Sequence, residues 1–225
     1  MSGNPSQRYA RQLPVWGEER QRRLAQSRVL VAGVGGLGAT VAQLLARAGV
    51  GRLYLVDDGN IDWPDLNRQT LYGEGDVGRS KIDVAVARLA AINSAVEVIP
   101  LARRIDESFA LPSGIDVVAD CLDNWPSRFA LHRAATVGGW FVHGAVQGEQ
   151  GQVLTLKVGT SESLERIFAG LAPASEPLPV TPDGAATIAG LMTNEIFAVI
   201  GGTPKLLDRI LVVGLGDLHW AFLEV

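Results

Sequence analysis

"RVLVAGVGGLGATVAQLLARAGVGRLYLVDD", residues 28–58, decides how the rest of the chain is read. Arg28 to Ala32 is a short apolar run that fits a buried strand. Gly33, Gly35 and Gly38 then spell G-x-G-x-x-G. Ala39 to Ala48 reads as a helix, and Leu53 to Val56 as a second strand that ends at Asp57. Glycines in such a turn let backbone N–H groups approach phosphate at a helix N-terminus. An acid about 20 residues on suits a ribose hydroxyl. The unit fits a nucleotide, and these residues alone leave NAD and ATP both open. A tight strand–helix turn that binds nothing is the plain alternative.

The composition narrows the classes. The 225 residues suffice for one large α/β unit with a sizeable core. Twenty Lys and Arg stand against 24 Asp and Glu, a net charge of −4, which disfavours non-specific nucleic-acid binding. The single cysteine, Cys121, rules out an internal disulfide framework and a cysteine-rich zinc site. "MSGNPSQRYARQ" has no apolar core of a signal peptide, and the apolar stretch Ala185–Ile200 is interrupted by Asn194 and Glu195. The expectation is a cytoplasmic protein with no membrane partner.

Strand and helix alternate along the early chain. A charged helix is expected over 17–27, and an amphipathic one over 79–93, where Ile82, Ala85, Val86 and Leu89 share a face. Strands are expected at 96–101, 115–121, 140–146 and 152–158, with a helix over 125–137. "APASEPLPVTPDG", residues 172–184, carries four prolines and reads as a crossover loop or lid. A helix over 185–200 and two last strands, 210–213 and 219–223, close the chain. The fold class expected is α/β and Rossmann-like. Its sheet is mixed and mostly parallel, with helices on both faces and antiparallel strands late in the chain. One domain spans 1–225, with an N-terminal helical arm at 1–27 and a crossover loop at 159–184.

A second loop weighs on the choice of nucleotide. "NIDWPDLNRQTLYGEGDVGRSK", residues 60–81, contains Asp65, Asn67, Arg68, Gln69 and Lys81. NAD has no general need for an Arg and a Lys beyond the ribose acid, whereas a triphosphate needs its charge neutralised. Lys81 also begins a helix, a poor place for a cation unless an anion binds there. The strand "IDVVADC" delivers "LDNWPSR" at its carboxyl end, where open α/β sheets place ligands, and Asp123 can hold Mg²⁺ there beside phosphates. Arg128 reads as a solvated helix residue without a role. Trp63 and Trp125 read as packing residues, and His132, His143 and His219 as structural.

With these residues in view, the chain resembles the ThiF/MoeB/HesA family of E1-like adenylyltransferases, which activate ubiquitin-like and sulfur-carrier proteins for molybdopterin and thiamine synthesis. The resemblance is carried by "RYARQ" (8–12), "GVGGLG" (33–38), "LVDD" (55–58), "DLNRQTL" (65–71), "DVGRSK" (76–81), "DCLDN" (120–124) and "GQV" (151–153), in the family's order. It implies ATP and Mg²⁺, a homodimer, and a carrier protein ending in Gly-Gly. Gly36 would lie against the nucleotide and Asp57 would bind its ribose. Gly33, Gly35, Gly38, Asp65, Asn67, Gln69 and Asn124 would complete the nucleotide site. Arg68 and Lys81 would bind phosphates, Asp123 would hold Mg²⁺ at the α-phosphate, and Arg11 would reach into the neighbouring subunit's site. A carboxylate is ionised at pH 7, so adenylation needs no general base.

Three departures from the family stand out. The two Cys-x-x-Cys pairs of many relatives are absent, so no zinc is expected. Asp65 stands where the family has Asn. An ionised Asp can only accept hydrogen bonds and repels phosphate, so Asp65 is expected to face Arg68 or a metal, or to weaken the enzyme. Thr181 occupies the position of the thioester-forming Cys of some relatives, and Cys121 is expected in the core or under the nucleotide, so no thioester step is expected. Two other readings stay open: a catalytically weakened carrier-binding relative, and an NAD-dependent oxidoreductase. A small molecule or tRNA as the activated substrate is a further variant.

Overall fold

The computed structural model describes residues 5–170 and 179–225. One eight-stranded sheet organises them, in the order β3-β2-β1-β4-β5-β6-β7-β8. The strands are β1 (Arg28–Ala32), β2 (Arg52–Val56), β3 (Glu97–Leu101), β4 (Val117–Asp120), β5 (Trp140–Gln147), β6 (Gln150–Lys157), β7 (Arg209–Gly214) and β8 (His219–Glu224). Pairing is parallel from β3 through β5 and antiparallel from β5 through β8. Chain order runs outward from β1 to β3 and then returns to the other side of β1 for β4. The crevice between the carboxyl ends of β1 and β4 is therefore the switch point at which such sheets bind ligands.

The sheet is covered on both faces. Val29 and Val31 of β1 look into one cluster, with α1 (Leu13–Gln26), α2 (Gly36–Ala48), α3 (Lys81–Ile92) and α6 (Pro182–Ile200). Leu30 and Ala32 look into the other, with α4 (Trp125–Ala134), α5 (Leu164–Ile167) and the connection carrying Ile105, Phe109 and Ile115. A strand buried on both sides must be apolar at every position, which is why "VLVA" shows no alternation. At the far edge this cover ends: Trp220, Phe222 and Leu223 of β8 are about half exposed.

Local signals set most boundaries. The glycine turn feeds α2 from Gly36, three residues earlier than its apolar pattern alone indicates. Gly49 ends α2 in a left-handed conformation, and its N–H closes on Leu45 and Ala46 carbonyls. The expected helix over 17–27 begins earlier, at Leu13, and is kinked at Gly17. The proline-rich stretch is corrected at its end. Thr181 caps α6 by accepting from the Gly184 N–H, and Pro182 occupies the first turn, where its missing N–H costs nothing. The expected crossover also contains the short α5, and residues 171–178 of it lie outside the described residues. No helix among the described residues is long and apolar enough to cross a membrane.

Candidate functional site

The glycine loop joins β1 to α2 at the switch point. Gly33 has φ +82°, and its N–H donates to the Val56 carbonyl at 2.8 Å. A Cβ at Gly33 would sit 2.9 Å from the Cys121 carbonyl oxygen, and one at Gly38 would collide with the Gly33 carbonyl. Backbone thus packs on backbone, as a ligand-cradling turn requires. Gly35 caps α2 without a side chain, so the first-turn N–H groups are left for a ligand. Val34 is held at both of its polar groups. Asp57 Oδ2 accepts from the Val34 N–H at 2.7 Å, and the Tyr72 hydroxyl donates to the Val34 carbonyl at 2.8 Å. Asp57 Oδ1 accepts from the Gly59 N–H at 2.8 Å, so its carboxylate is fixed with lone pairs to spare. Burial raises the Tyr72 phenol far above its usual range and keeps it a donor. The sequence reading missed Tyr72.

The second loop closes on this cradle through Asp65. Its Oδ1 accepts from Gln69 Nε2 at 2.6 Å and lies 3.8 Å from Arg68 Nη2, while its Oδ2 lies 3.3 Å from Lys81 Nζ. Asp65 therefore faces Arg68, as one of the expectations had it, and Lys81 as well. Arg68 also donates to the Pro64 carbonyl at 2.7 Å and to Asn67 Oδ1 at 2.9 Å. Its Cγ and Cδ lie 3.4 Å from where a Gly36 Cβ would be, and Gln69 Nε2 lies 3.6 Å from the same point at Gly35. Arg79, in the same "DVGRSK" run, is engaged elsewhere: Asp76 takes Arg79 at 2.8 Å and Arg88 at 3.0 Å. The Gly73 N–H, together with these two cations, holds the Asp76 carboxyl below the usual range.

At the carboxyl end of β4 the structure corrects the sequence reading. Arg128 is not solvated: it is only 5% exposed, beside a fully buried Asp120 and His143. Its Nη1 donates to Asp120 Oδ2 at 2.9 Å and to the Gly144 carbonyl at 2.9 Å, and Nη2 donates to the Leu122 carbonyl. His143 Nδ1 lies 2.7 Å from Asp120 Oδ2, and Gln152 Nε2 lies 3.1 Å from His143 Nε2. Arg128 Nη1 also lies 2.9 Å from Nδ1, so this ring nitrogen meets the Asp120 carboxylate and the guanidinium together. Burial pushes the Asp120 carboxyl up, but Arg128 and the His143 hydrogen bond outweigh it and hold the group below its ordinary value. Burial and Arg128 push His143 down, so it stays neutral. One sequence signal was available: a carboxylate in the apolar run "VVADC" needs a buried partner.

This network underpins the loop that carries Asp123. Asp123 is exposed, and its Oδ1 accepts from Asn124 Nδ2 at 3.1 Å. Asn124 Oδ1 meanwhile caps α4 by accepting from the Ser127 N–H at 3.0 Å. Trp125 packs, as expected, against His143 and Phe168 at ring distances of 5.8 and 4.8 Å. Trp63 does not: it is 61% exposed, because its short 3-10 turn (Trp63–Asp65) lies on the rim. Cys121 is buried, and burial and Asp120 push its thiol far up.

Arg11 is not brought to this site. Its neighbour Gln12 donates to the Ala48 carbonyl at 2.8 Å, and Arg8 donates to the Ile92 carbonyl at 2.7 Å. Those are the C-terminal ends of α2 and α3, while the glycine loop lies at the other end of α2, on the order of 20 Å away for a helix of this length. Arg11 itself is exposed.

The residues fit a nucleotide by two observations. Glycines stand where a Cβ would fill the cradle, and Gln69, only 3% exposed beside Gly35, has its Oε1 without a hydrogen-bond partner among the described residues. For Mg²⁺, the Asp123 carboxylate has free lone pairs. No group of three or more His, Cys, Asp or Glu side chains gathers among the described residues, so a cation there must complete its shell with phosphates and water.

The family model described as the ThiF family matches residues 9–224. The chain is 38% identical to the adenylyltransferase and sulfurtransferase MOCS3 of Sus scrofa over 94% of this chain and 46% of that protein. It is 42% identical to the SAMP-activating enzyme E1 of Haloferax volcanii over 62% of this chain and 53% of that one. The chain thus spans about half the length of these curated relatives. Among solved structures, E. coli MccB superposes with a TM-score of 0.87 at 20% identity, over 99% of this chain and 71% of that one, which bears on the fold alone.

Proposed function

The chain belongs to the ThiF family, and on that premise we propose that it adenylates the C-terminal glycine carboxylate of a small ubiquitin-like sulfur-carrier protein. ATP is the second substrate, the products are an acyl-adenylate and pyrophosphate, and no thioester follows. The observation that carries this reading is one crevice edged by a glycine cradle, the Asp57 carboxylate, two cations and Asp123. The oxidoreductase reading rested on the glycine motif alone, and a cationic edge adds nothing to it.

Each residue has a physical task. Asp57, anchored through Val34 and Gly59, accepts from ribose hydroxyls. The first-turn N–H groups of α2 face phosphate. A carrier carboxylate must approach an α-phosphorus bearing negative charge, so repulsion dominates the barrier. Arg68 and Lys81 lower it by neutralising charge and fixing the in-line approach. Asp123 would hold a Mg²⁺ ion, which supplies further neutralisation. The attacking group is already ionised, so no side chain need take a proton. A thioester requires a thiolate near the activated carbonyl, and Cys121 is buried as a neutral thiol.

Arg11 completes the site from a second copy. What supports this is its anchorage at the far end of α2, out of reach of its own glycine loop. We therefore take the working form to be a homodimer with composite sites.

The test is ATP–pyrophosphate exchange with a Gly-Gly carrier, followed by denaturing mass spectrometry without reductant. Carrier-AMP with no enzyme–carrier adduct is the expected result. A thiol-sensitive adduct that disappears in Cys121→Ser would remove the final clause. One observation favours a second reading, a carrier-binding relative that adenylates weakly: Asp65 already occupies both phosphate-binding cations. Carrier binding without exchange would select it.

A further inference from the structure

We propose that Asp65 sets the affinity and phosphate selectivity of the nucleotide site, acting as a built-in anion that competes with nucleotide phosphates for Lys81 and Arg68. The inference rests on the reading above, in which those two cations receive phosphate.

The geometry places this carboxylate at the centre of the cationic edge. Lys81 Nζ lies 3.3 Å from Oδ2, and Arg68 Nη2 lies 3.8 Å from Oδ1. The Asp65 and Lys81 side chains are only 13% and 15% exposed, so solvent and salt screen the pair weakly. Gln69 Nε2 and the Asp62 N–H, at 2.6 and 3.1 Å, fix the carboxylate in place, so it cannot swing away when a phosphate arrives. Arg68 is further occupied by Pro64 and Asn67. A phosphate reaching these cations must pull them from a fixed anion and then sit beside it. Both costs grow with phosphate charge, and neither applies to the adenosine moiety.

An Asn at 65 has nearly the same shape and removes the charge. Its carbonyl can still accept from the Asp62 N–H, and its amide can donate to Gln69 Oε1 once the Gln69 amide, whose Nε2 now faces position 65, turns over. An Ala at 65 removes the charge and offers no donor. The two variants therefore separate electrostatic competition from a new hydrogen bond.

The experiment is calorimetric titration of ATP with Mg²⁺, AMP, and adenosine into wild type, Asp65→Asn and Asp65→Ala, with thermal melts on each preparation. ATP should bind about tenfold tighter to both variants, or about 1.4 kcal/mol. AMP should gain less and adenosine should not change. The gain should vanish when Lys81→Met is added to Asp65→Asn, since the competition needs the cation. Unchanged or weaker ATP binding in variants that melt like wild type would overturn the proposal, as would a gain confined to Asn. ATP binding seen only in the variants would support it in its strongest form. If neither wild type nor any variant binds ATP, the adenylation reading falls and this proposal falls with it. ATP binding to wild type without gain in the variants sinks this proposal alone.

Discussion

Arg128 donates to the Asp120 carboxylate at 2.9 Å with both side chains buried beneath the Asp123 loop. Removing the cation would leave Asp120 buried with only His143 and the Leu122 N–H. Arg128→Ala should therefore cost about 3–5 kcal/mol of stability. Arg128→Lys should recover only part, because a lysine cannot supply the planar fork that reaches Asp120, Gly144 and Leu122 together. Urea unfolding of the three proteins checks this, and equal midpoints for wild type and Arg128→Ala would refute the structural weight given to the pair.

The same network makes stability depend on pH. Asp120 and His143 both have folded values below their ordinary ones. Each then contributes stability that is present above its unfolded value and is lost as pH falls through the folded one. The unfolded values are about 6.5 for His and about 3.9 for Asp. Wild type should thus begin to lose stability below about pH 6.5 as unfolded chains take up the His143 proton. The loss should steepen below about pH 4, where Asp120 joins. His143→Gln should flatten the first phase in part, because burial also pushes His132 down and leaves its share of the slope. A wild-type slope in that variant between neutral and mildly acid pH would assign the effect to another group.

Asp123 offers a cleaner separation of chemistry from folding. Its side chain is exposed, and among the described residues it is hydrogen-bonded to Asn124 alone. Asp123→Ala should leave the melting temperature almost unchanged while ATP–pyrophosphate exchange falls by at least a hundredfold, about 2.7 kcal/mol of transition-state stabilisation. Exchange at the wild-type rate would remove Asp123 from the mechanism.

The distance of Arg11 from its own glycine loop predicts complementation. Arg11→Ala and Lys81→Ala proteins should each be impaired, and a mixture that exchanges subunits should regain activity, because the heterodimer holds one intact site. Heterodimers demonstrated by native mass spectrometry but inactive would show that Arg11 serves no partner.

The nucleotide unit was legible because it is local. A buried strand, a glycine turn and a helix lie consecutive in the chain, and each obeys a rule of spacing or backbone freedom that needs no distant partner. Thr181 and Pro182 were equally local, and a reading that weighed capping against proline content would have begun α6 there. Arg128 was misread because a short helix shows a sequence reader only its own neighbours. Its acceptors come from the end of β4 and the middle of β5, which meet it only once the sheet forms. Tyr72 was missed for the same reason, since its acceptor is the backbone of Val34.

The amino-acid sequence by itself determined the α/β alternation, the glycine turn, the acid at Asp57 and the set of charged residues around them. Periodicity and glycine stereochemistry act over a few residues and are written in their order. Only the tertiary structure decided how the charges are used. It set Asp65 against Lys81 and Arg68, buried Asp120 with Arg128 and His143, and carried Arg11 to the far end of α2. The worth of a charge depends on its distance from other charges and on the water excluded around it, and both are properties of the packed chain.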